Sequence, residues 1–285
     1  MFESLTADLE NARLIEKLTP IIQEAGALIE DYKARGIVER AKADNSPVTE
    51  ADLAAEKLLT AAIRAIDADA IIVGEEASAQ GAAPDVGGPS RFWLIDPLDG
   101  TRSFVAGSLD YSVNVGLVEN GAPVLGLVLH SPTQTLWTGA PGLGAWKQSP
   151  KHPRQAIRSR TLHQPPSIVT SRSHLDPRTK AWVAQVPGAT VHPSGSSLKL
   201  CLLAEGDADV YPRFGPTCEW DTAAADAILR AAGGLMQALN NEPFIYGKPG
   251  WLNDGFIGFG DPSAAARMPP FIDPAPEAAN PPPRA

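Results

Sequence analysis

The chain has 285 residues, 44% of them hydrophobic and 20% charged, which is typical of a globular enzyme and excludes a disordered or fibrous protein. The formal net charge of −9 excludes general binding to nucleic-acid polymers. Apolar runs such as residues 124–129 are too short for a transmembrane segment, and Cys201 and Cys218 have no metal-binding or redox spacing. We therefore expect a cytoplasmic protein with reduced thiols, and leave attachment to the inner-membrane surface open.

The first predicted elements are helices. Apolar residues at three- and four-residue spacing predict an amphipathic helix over residues 1–35, which Pro20 is expected to end or restart. A second helix is predicted over residues 46–65. Asn45 or Ser46 is its expected N-cap, and Pro47 suits its first turn.

The sequence then changes to short apolar runs separated by Gly and Asn turns, which predict strands. Helices and mixed strands in both halves together predict a layered α/β sandwich. We expect an N-terminal half over residues 1–150, a C-terminal half over 151–268, and a Pro/Ala-rich, disordered tail over 269–285. The predicted strands are 70–74, 92–95, 111–119, 123–130, 135–140, 168–171 and 208–211, and the later helices are 178–185, 198–205 and 222–232.

The most informative segment is Trp-Leu-Ile-Asp-Pro-Leu-Asp-Gly-Thr-Arg-Ser-Phe at residues 93–104. A short strand ends at Asp96, Pro97 is expected to turn the chain out of the sheet, and Asp99 returns beside Asp96. These two carboxylates and the Leu98 carbonyl form a hard-oxygen set suited to Mg²⁺. Gly100 permits close backbone approach. The alternative is a plain Asp-Gly turn, but the full stretch favours a metal site.

The same segment also offers ligands for an anion. The amides of Gly100 and Thr101 can open a helix N-terminus that holds a phosphate group. The Thr101 hydroxyl can hold or orient a water molecule. The segment thus combines metal and phosphate ligands in one loop.

Three other acidic positions are candidates. Glu75 ends a predicted strand together with Glu76, and Asp221 begins an Ala-rich helix. Asp52 follows Thr49 at helical spacing and could polarise Thr101. Taken singly, these acids could equally be a solvated loop, a helix N-cap and a surface helix acid, so their roles depend on convergence in the fold.

The Gly-Glu-Glu segment at 74–76, the Asp-Pro-Leu-Asp-Gly-Thr loop and the Trp-Asp-Thr-Ala-Ala helix start resemble the signature of the inositol monophosphatase superfamily, over about residues 10–260. The resemblance implies an α-β-α-β-α sandwich of the inositol monophosphatase/fructose-1,6-bisphosphatase type, and a lithium-sensitive, magnesium-dependent phosphatase. It implies two or three Mg²⁺ ions, and catalysis by Glu75, Asp52 and Thr101, which orient the attacking water. The implied metal ligands are Glu75, Asp96, the Leu98 carbonyl, Asp99 and Asp221.

Segments 195–206 and 211–217 resemble a narrower group, the bacterial CysQ branch of 3'(2'),5'-bisphosphate nucleotidases. This resemblance implies conversion of adenosine 3',5'-bisphosphate to AMP and phosphate in sulfur assimilation. A second phosphate needs cationic and hydroxyl donors, which these segments supply. The expected substrate-binding residues are Gly100, Thr101, Ser196, Ser197, Lys199, Arg213 and Asp221.

Other functions stay open at this point. Gly74 before the acidic pair is closer to the inositol-phosphatase form, so an inositol-1-monophosphatase is the first alternative. A glycosidase using paired acids would need no magnesium. A non-catalytic nucleotide-sensing protein is the non-enzyme alternative. In each enzyme interpretation the partner is a small metabolite, and the chain acts as a monomer or homodimer.

Overall fold

The computed structural model describes residues 2–36, 39–41, 47–84, 86, 90–172 and 175–271. Over these residues, helices and sheets alternate in five layers, in the order α-β-α-β-α that the family resemblance implies. The helices are α1 (Phe2–Arg35), α2 (Glu50–Ile66), α3 (Glu75–Ala79), α4 (Thr101–Val105), α5 (Pro177–Val183), α6 (Leu198–Ala204) and α7 (Ala223–Ala231).

In the described part of the chain, the strands form two main sheets and two small two-stranded sheets, β1–β2 and β13–β15. Strand β3 pairs in parallel with β4, and the other pairs of the first main sheet are antiparallel. The strands of the N-terminal part are β1 (Glu39–Ala41), β2 (Pro47–Thr49), β3 (Ile71–Gly74), β4 (Arg91–Asp99), β5 (Ser112–Glu119), β6 (Ala122–His130), β7 (Thr135–Ala140), β8 (Gly144–Ser149) and β9 (His152–Ile157).

The second main sheet has the strand order β11-β10-β12-β16-β14. Its β10–β11 and β10–β12 pairs are parallel, whereas β16 runs antiparallel to both of its neighbours. The remaining strands are β10 (Ser167–Ser171), β11 (Thr190–Ser194), β12 (Val210–Arg213), β13 (Thr217–Cys218), β14 (Leu235–Ala238), β15 (Leu252–Asn253) and β16 (Phe256–Phe259).

Among the residues that the structure describes, three apolar cores hold these layers together. In β4, Trp93 and Ile95 face the core shared with α1 and α2, while Phe92 and Leu94 face the central core beneath α6 and α7. This alternation is the period of two that a strand buried on both faces requires. A third core lies on the outer side of the second sheet, where Trp182 of α5 packs.

Glycines in the first sheet bring α7 unusually close to it. A Cβ on Gly116 would lie 2.9 Å from the Ala224 nitrogen, and one on Gly126 would overlap the Ala224 backbone. Only glycine fits at these two positions. The close approach places the turn before α7, which carries Asp221, against β4 and β5.

The prediction that Pro20 interrupts the first helix is wrong, because α1 continues through it from residue 2 to residue 35. Pro20 and Glu16, whose carbonyl loses its helical partner, lie on the exposed side. The buried side carries Leu14, Leu18 and Ile22, whose packing outweighs the lost hydrogen bond.

Two other local predictions are corrected. Helix α2 begins at Glu50 rather than residue 46, because residues 47–49 form β2 and Thr49 is the N-cap. Strand β4 also continues past Pro97 to Asp99. Its register with β5 shifts between Asp96 and Asp99, so Pro97 occupies a break in the ladder where no donor is required.

Some sequence predictions lie outside the described residues, namely the caps Asn45 and Ser46 and most of the tail, residues 272–285.

Strand β9 pairs with β8, so the first sheet extends to residue 157. Within the described part of the chain, no helix is long and apolar enough to cross a membrane.

Candidate active site

The acidic residues converge at one edge of the first sheet. Gly74, the last residue of β3, pairs with Ile95 of the parallel strand β4, which places Glu75 next to Asp96. Glu75, Asp99 and Asp221 line a single cavity of about 310 Å³. Asp96 lies directly behind its wall, 1% exposed, and shares a side-chain hydrogen bond with Glu75. The predicted convergence of four carboxyl groups from three segments is therefore present.

The carboxylates of this cluster repel one another. Burial raises the pKa of Asp96 well above its ordinary value, and the neighbouring Glu75, Asp99 and Asp221 raise it further. Burial also raises the pKa of Asp221, and Asp99 and Glu75 add to this effect. A cation among these groups would relieve both the desolvation and the repulsion of the carboxylates.

The donor set fits a hard divalent ion. Carboxylate and carbonyl oxygens are the ligands that Mg²⁺ prefers. The Leu98 carbonyl oxygen lies 3.0 Å from the Thr101 hydroxyl, which shares its single proton between this carbonyl and Asp52, so the carbonyl keeps a lone pair for a metal ion. Among the described residues, no three acidic, histidine or cysteine side chains already have the arrangement of a metal site. The fit therefore rests on donor chemistry and clustered charge rather than on a preformed cage.

A buried threonine–aspartate network lies beside the acidic cluster. Asp52 accepts the Thr49 amide at 2.8 Å and the Thr49 hydroxyl at 2.5 Å through the same oxygen. Its other oxygen accepts the Thr101 hydroxyl at 3.1 Å. Burial raises the pKa of Asp52, while the hydrogen bonds from Thr49 and Thr101 partly oppose that rise. The predicted Thr101–Asp52 pair is thus formed, with Thr101 facing the cavity.

The opposite wall carries the cations. Lys199 is 5% exposed, and its ammonium donates to the Ser196 carbonyl and lies 5.3 Å from the Tyr211 ring centroid. Burial lowers the pKa of Lys199 to about 8, although Asp99 and Asp221 partly counteract this effect. The Arg213 guanidinium bonds to the Gly215 and Pro216 carbonyls at 3.2 and 3.0 Å.

All of the predicted substrate-binding residues meet at this cavity. The wall on the β4 side includes Gly100, whose φ of 96° and contact with the Asp110 carbonyl leave no space for a Cβ. The predicted substrate-binding residues that line it are Gly100, Thr101, Ser196, Ser197, Lys199, Arg213 and Asp221.

The sequence analysis missed several residues here. Arg102, Ser103, Ser171, Tyr211 and Thr217 also line the cavity. Arg102 and Ser103 belong to the 93–104 segment, and Tyr211 and Thr217 to the 211–217 segment, but the sequence analysis gave these residues no role of their own. Only the fold shows that they reach the cavity.

Two buried groups that orient the site were also missed. Glu56 accepts the amides of Glu76 and Ala77 at 2.8 Å each and so holds the start of α3 beside Glu75. Asn114 donates to the Ser197 hydroxyl at 2.7 Å. Its signal in the sequence was a pair of small polar residues, Ser112 and Asn114, at alternate positions of an otherwise apolar strand.

The chain is similar to known proteins over most of its length. Residues 10–258 match the model of the inositol monophosphatase family. The chain is 37% identical over 248 residues to the 3'(2'),5'-bisphosphate nucleotidase CysQ of Escherichia coli (strain K12), covering 85% of this chain and 98% of that protein. It is 32% identical to the protein of the same name from Buchnera aphidicola, covering 86% and 92% of the two chains.

Solved structures give the same result. CysQ from Bacteroides thetaiotaomicron, described as a bacterial member of the inositol monophosphatase family, superimposes with a TM-score of 0.72 and 32% identity, covering 87% of this chain and 97% of that one. Inositol monophosphatase from Anabaena superimposes with a TM-score of 0.70 and 25% identity, covering 91% and 97%.

Proposed function

Because the chain belongs to the inositol monophosphatase family, we propose that it is a magnesium-dependent 3'(2'),5'-bisphosphate nucleotidase. Its proposed substrate is adenosine 3',5'-bisphosphate, which it converts to AMP and phosphate in sulfur assimilation. The relatives named 3'(2'),5'-bisphosphate nucleotidase, which it matches over most of their length, support this choice within the family.

One observation carries the proposal: a single cavity has carboxylates on one wall and cationic and hydroxyl groups on the other. The acidic wall suits metal ions that bind the phosphate to be removed. Lys199 and Arg213 on the other wall suit a second phosphate, which those ions do not neutralise. A bisphosphate substrate uses both walls, whereas a monophosphate uses one.

In this proposal Glu75, Asp96, Asp99, Asp221 and the Leu98 carbonyl hold two or three Mg²⁺ ions. When bound, these ions stabilise negative charge on the attacking and leaving oxygens. The residues of the chain supply orientation and proton transfer.

The Thr101–Asp52 pair provides a path for a proton. The Thr101 hydroxyl donates to Asp52, so its oxygen lone pairs can accept a hydrogen bond from the water that attacks phosphorus. Asp52 is held rigidly by the Thr49 amide and hydroxyl, which keeps the pair aligned. Glu75 orients the same water from the α3 side of the cavity. No histidine base is required.

Inositol-1-monophosphatase is the second candidate, because solved inositol monophosphatases share the fold over nearly the whole chain. It would use the same acidic wall. Lys199 favours the nucleotidase, because the second phosphate of a bisphosphate would give its buried ammonium an anionic partner that an inositol monophosphate lacks.

A phosphate-release assay tests the proposal. Initial rates are measured with adenosine 3',5'-bisphosphate and with inositol 1-phosphate, each with Mg²⁺ and with excess EDTA. We expect Mg²⁺-dependent release, with the higher kcat/KM for the bisphosphate. Preference for inositol 1-phosphate would establish the second candidate. Release that persists in EDTA, or no release at all, would contradict both, the latter favouring a nucleotide-sensing protein.

Three other properties remain predictions from the sequence: inhibition by lithium, a cytoplasmic location, and a monomeric or homodimeric state. The phosphate-release assay measures magnesium dependence directly, but it tests none of these three properties.

A further inference from the structure

A row of buried polar side chains connects the two walls of the cavity. Ser112 and Asn114 lie on the same face of β5, and both are fully buried. Ser112 lies 3.0 Å from the Ser196 hydroxyl, and the Asn114 amide nitrogen lies 2.7 Å from the Ser197 hydroxyl. Two alternate residues of the N-terminal sheet therefore contact two successive residues before α6.

The hydrogen bonds from Ser112 to Asn114 and from Asn114 to Ser197 run in one direction along this row. Ser112 donates to the Asn114 side-chain oxygen at 3.1 Å, which turns the amide nitrogen toward Ser197. A hydroxyl has a single proton. Because Ser197 accepts a hydrogen bond from Asn114, its own proton is free for another acceptor.

The acceptors of that proton belong to two elements of the acidic cluster. The Ser197 hydroxyl lies 2.7 Å from an Asp99 carboxylate oxygen, at the end of β4. It lies 2.6 Å from the Asp221 backbone carbonyl, in the turn before α7. One hydroxyl thus fixes the relative position of two acidic segments that are far apart in sequence.

We propose that Asn114 is a positioning residue, which acts through Ser197 to hold Asp99 and Asp221 at the separation that divalent cations require. This inference rests on the proposed function, in which both acids are metal ligands. It also changes the role of Ser197, which the sequence analysis assigned to substrate contact. Groups that orient metal ligands typically change metal affinity by about 10–100-fold when they are removed.

The test measures binding of the metal alone. Mg²⁺ is titrated calorimetrically into EDTA-treated, desalted protein for Asn114→Ala, Ser197→Ala, the double variant and Ser197→Thr. The control is Asn11→Ala, which removes a buried amide that donates to the Val124 carbonyl at 3.3 Å, on the opposite side of the first sheet. Thermal unfolding without metal checks that each variant folds.

We expect Asn114→Ala and Ser197→Ala each to weaken Mg²⁺ binding about 10–100-fold. The double variant should be no weaker than Ser197→Ala, because both residues act through one hydroxyl. Ser197→Thr retains the hydroxyl and should bind like the wild type, as should Asn11→Ala.

Wild-type affinity in both single variants, or additive losses in the double variant, would overturn the inference. If Asn114→Ala does not fold, Ser197→Ala and its Ser197→Thr rescue decide the outcome. Asp99→Asn distinguishes a failure of the positioning role of Asn114 from a failure of the metal assignment. Weak binding in Asp99→Asn together with normal binding in the Asn114 and Ser197 variants removes the inference alone, whereas normal binding in Asp99→Asn contradicts the metal assignment itself.

Discussion

The two walls of the cavity differ in both charge and origin. The acidic wall carries Glu75 and Asp99 from the N-terminal sheet, with Asp96 behind it. Asp221 joins it from the turn before α7, which packs against β4 and β5 of that sheet. The facing wall carries Lys199 and Arg213 on α6 and β12 of the C-terminal part. This difference separates the tasks: the acidic wall determines whether a phosphate can be removed, and the cationic wall determines which phosphorylated molecule is bound.

Removing a charge from the acidic wall should have the largest effect. Asp96→Asn keeps the side-chain oxygen that accepts the Leu98 amide at 3.0 Å, so the fold should persist. We expect kcat to fall on the order of 10³-fold, because a metal ligand loses its charge. Steady-state phosphate release measures this loss, and the exposed Asp207→Asn is the matched control. Near-normal magnesium-dependent turnover would remove Asp96 from the metal site.

The proton path next to this wall should give the next largest effect. Asp52→Asn removes the negative charge that accepts the Thr101 hydroxyl, so we expect kcat to fall about 10²-fold with little change in KM. Glu50→Gln, at an exposed position of the same helix, is the control. A change confined to KM would show that Asp52 contributes to substrate binding instead.

The cationic wall should affect recognition rather than chemistry. Lys199→Gln or Arg213→Gln should raise KM for adenosine 3',5'-bisphosphate by about 10–100-fold, since a hydrogen bond to a charged group is worth roughly 1.5–3 kcal/mol. Inositol 1-phosphate has no second phosphate, so its KM should change only slightly. Lys151→Gln, which is exposed, provides the control. Equal effects on both substrates would contradict the division between the walls.

The pH dependence should give the smallest effect. The pKa of Lys199 is lowered to about 8, so its ammonium is charged below that pH and becomes neutral above it. We therefore expect KM for the bisphosphate to rise about tenfold between about pH 7 and pH 9, as the cation is lost. Lys199→Gln should not show this rise. The same rise in the variant would assign the titration to another group.

Local motifs were enough to predict much of this molecule. The predicted strand at residues 135–140 coincides with β7, and the helix start predicted at Gly100 and Thr101 coincides with the start of α4. The meeting of the acidic residues was implied by the resemblance to the inositol monophosphatase superfamily, since each acid taken singly could equally have been a loop acid, a helix N-cap or a surface helix acid. The layered α/β architecture followed from the mixture of helices and strands in both halves, whereas the α-β-α-β-α order was implied by the resemblance.

Features that depend on tertiary contacts could not be predicted in this way. Pro20 is tolerated because the packing of α1 outweighs its missing donor, and Pro97 because the ladder is irregular there. Strand β9 was missed because its residues up to 156 are exposed and lack apolar alternation. Asn114 was missed because its partner, Ser197, is 83 residues away in the sequence.

Equilibrium dialysis against Mg²⁺, with the retained metal counted per chain, tests the central claim most directly. If the acidic wall is a metal centre, the wild type should retain two or three ions at millimolar Mg²⁺, and Asp99→Asn and Asp221→Asn should each retain fewer. A wild-type protein that retains no Mg²⁺ under these conditions, yet releases phosphate in EDTA, would contradict the account.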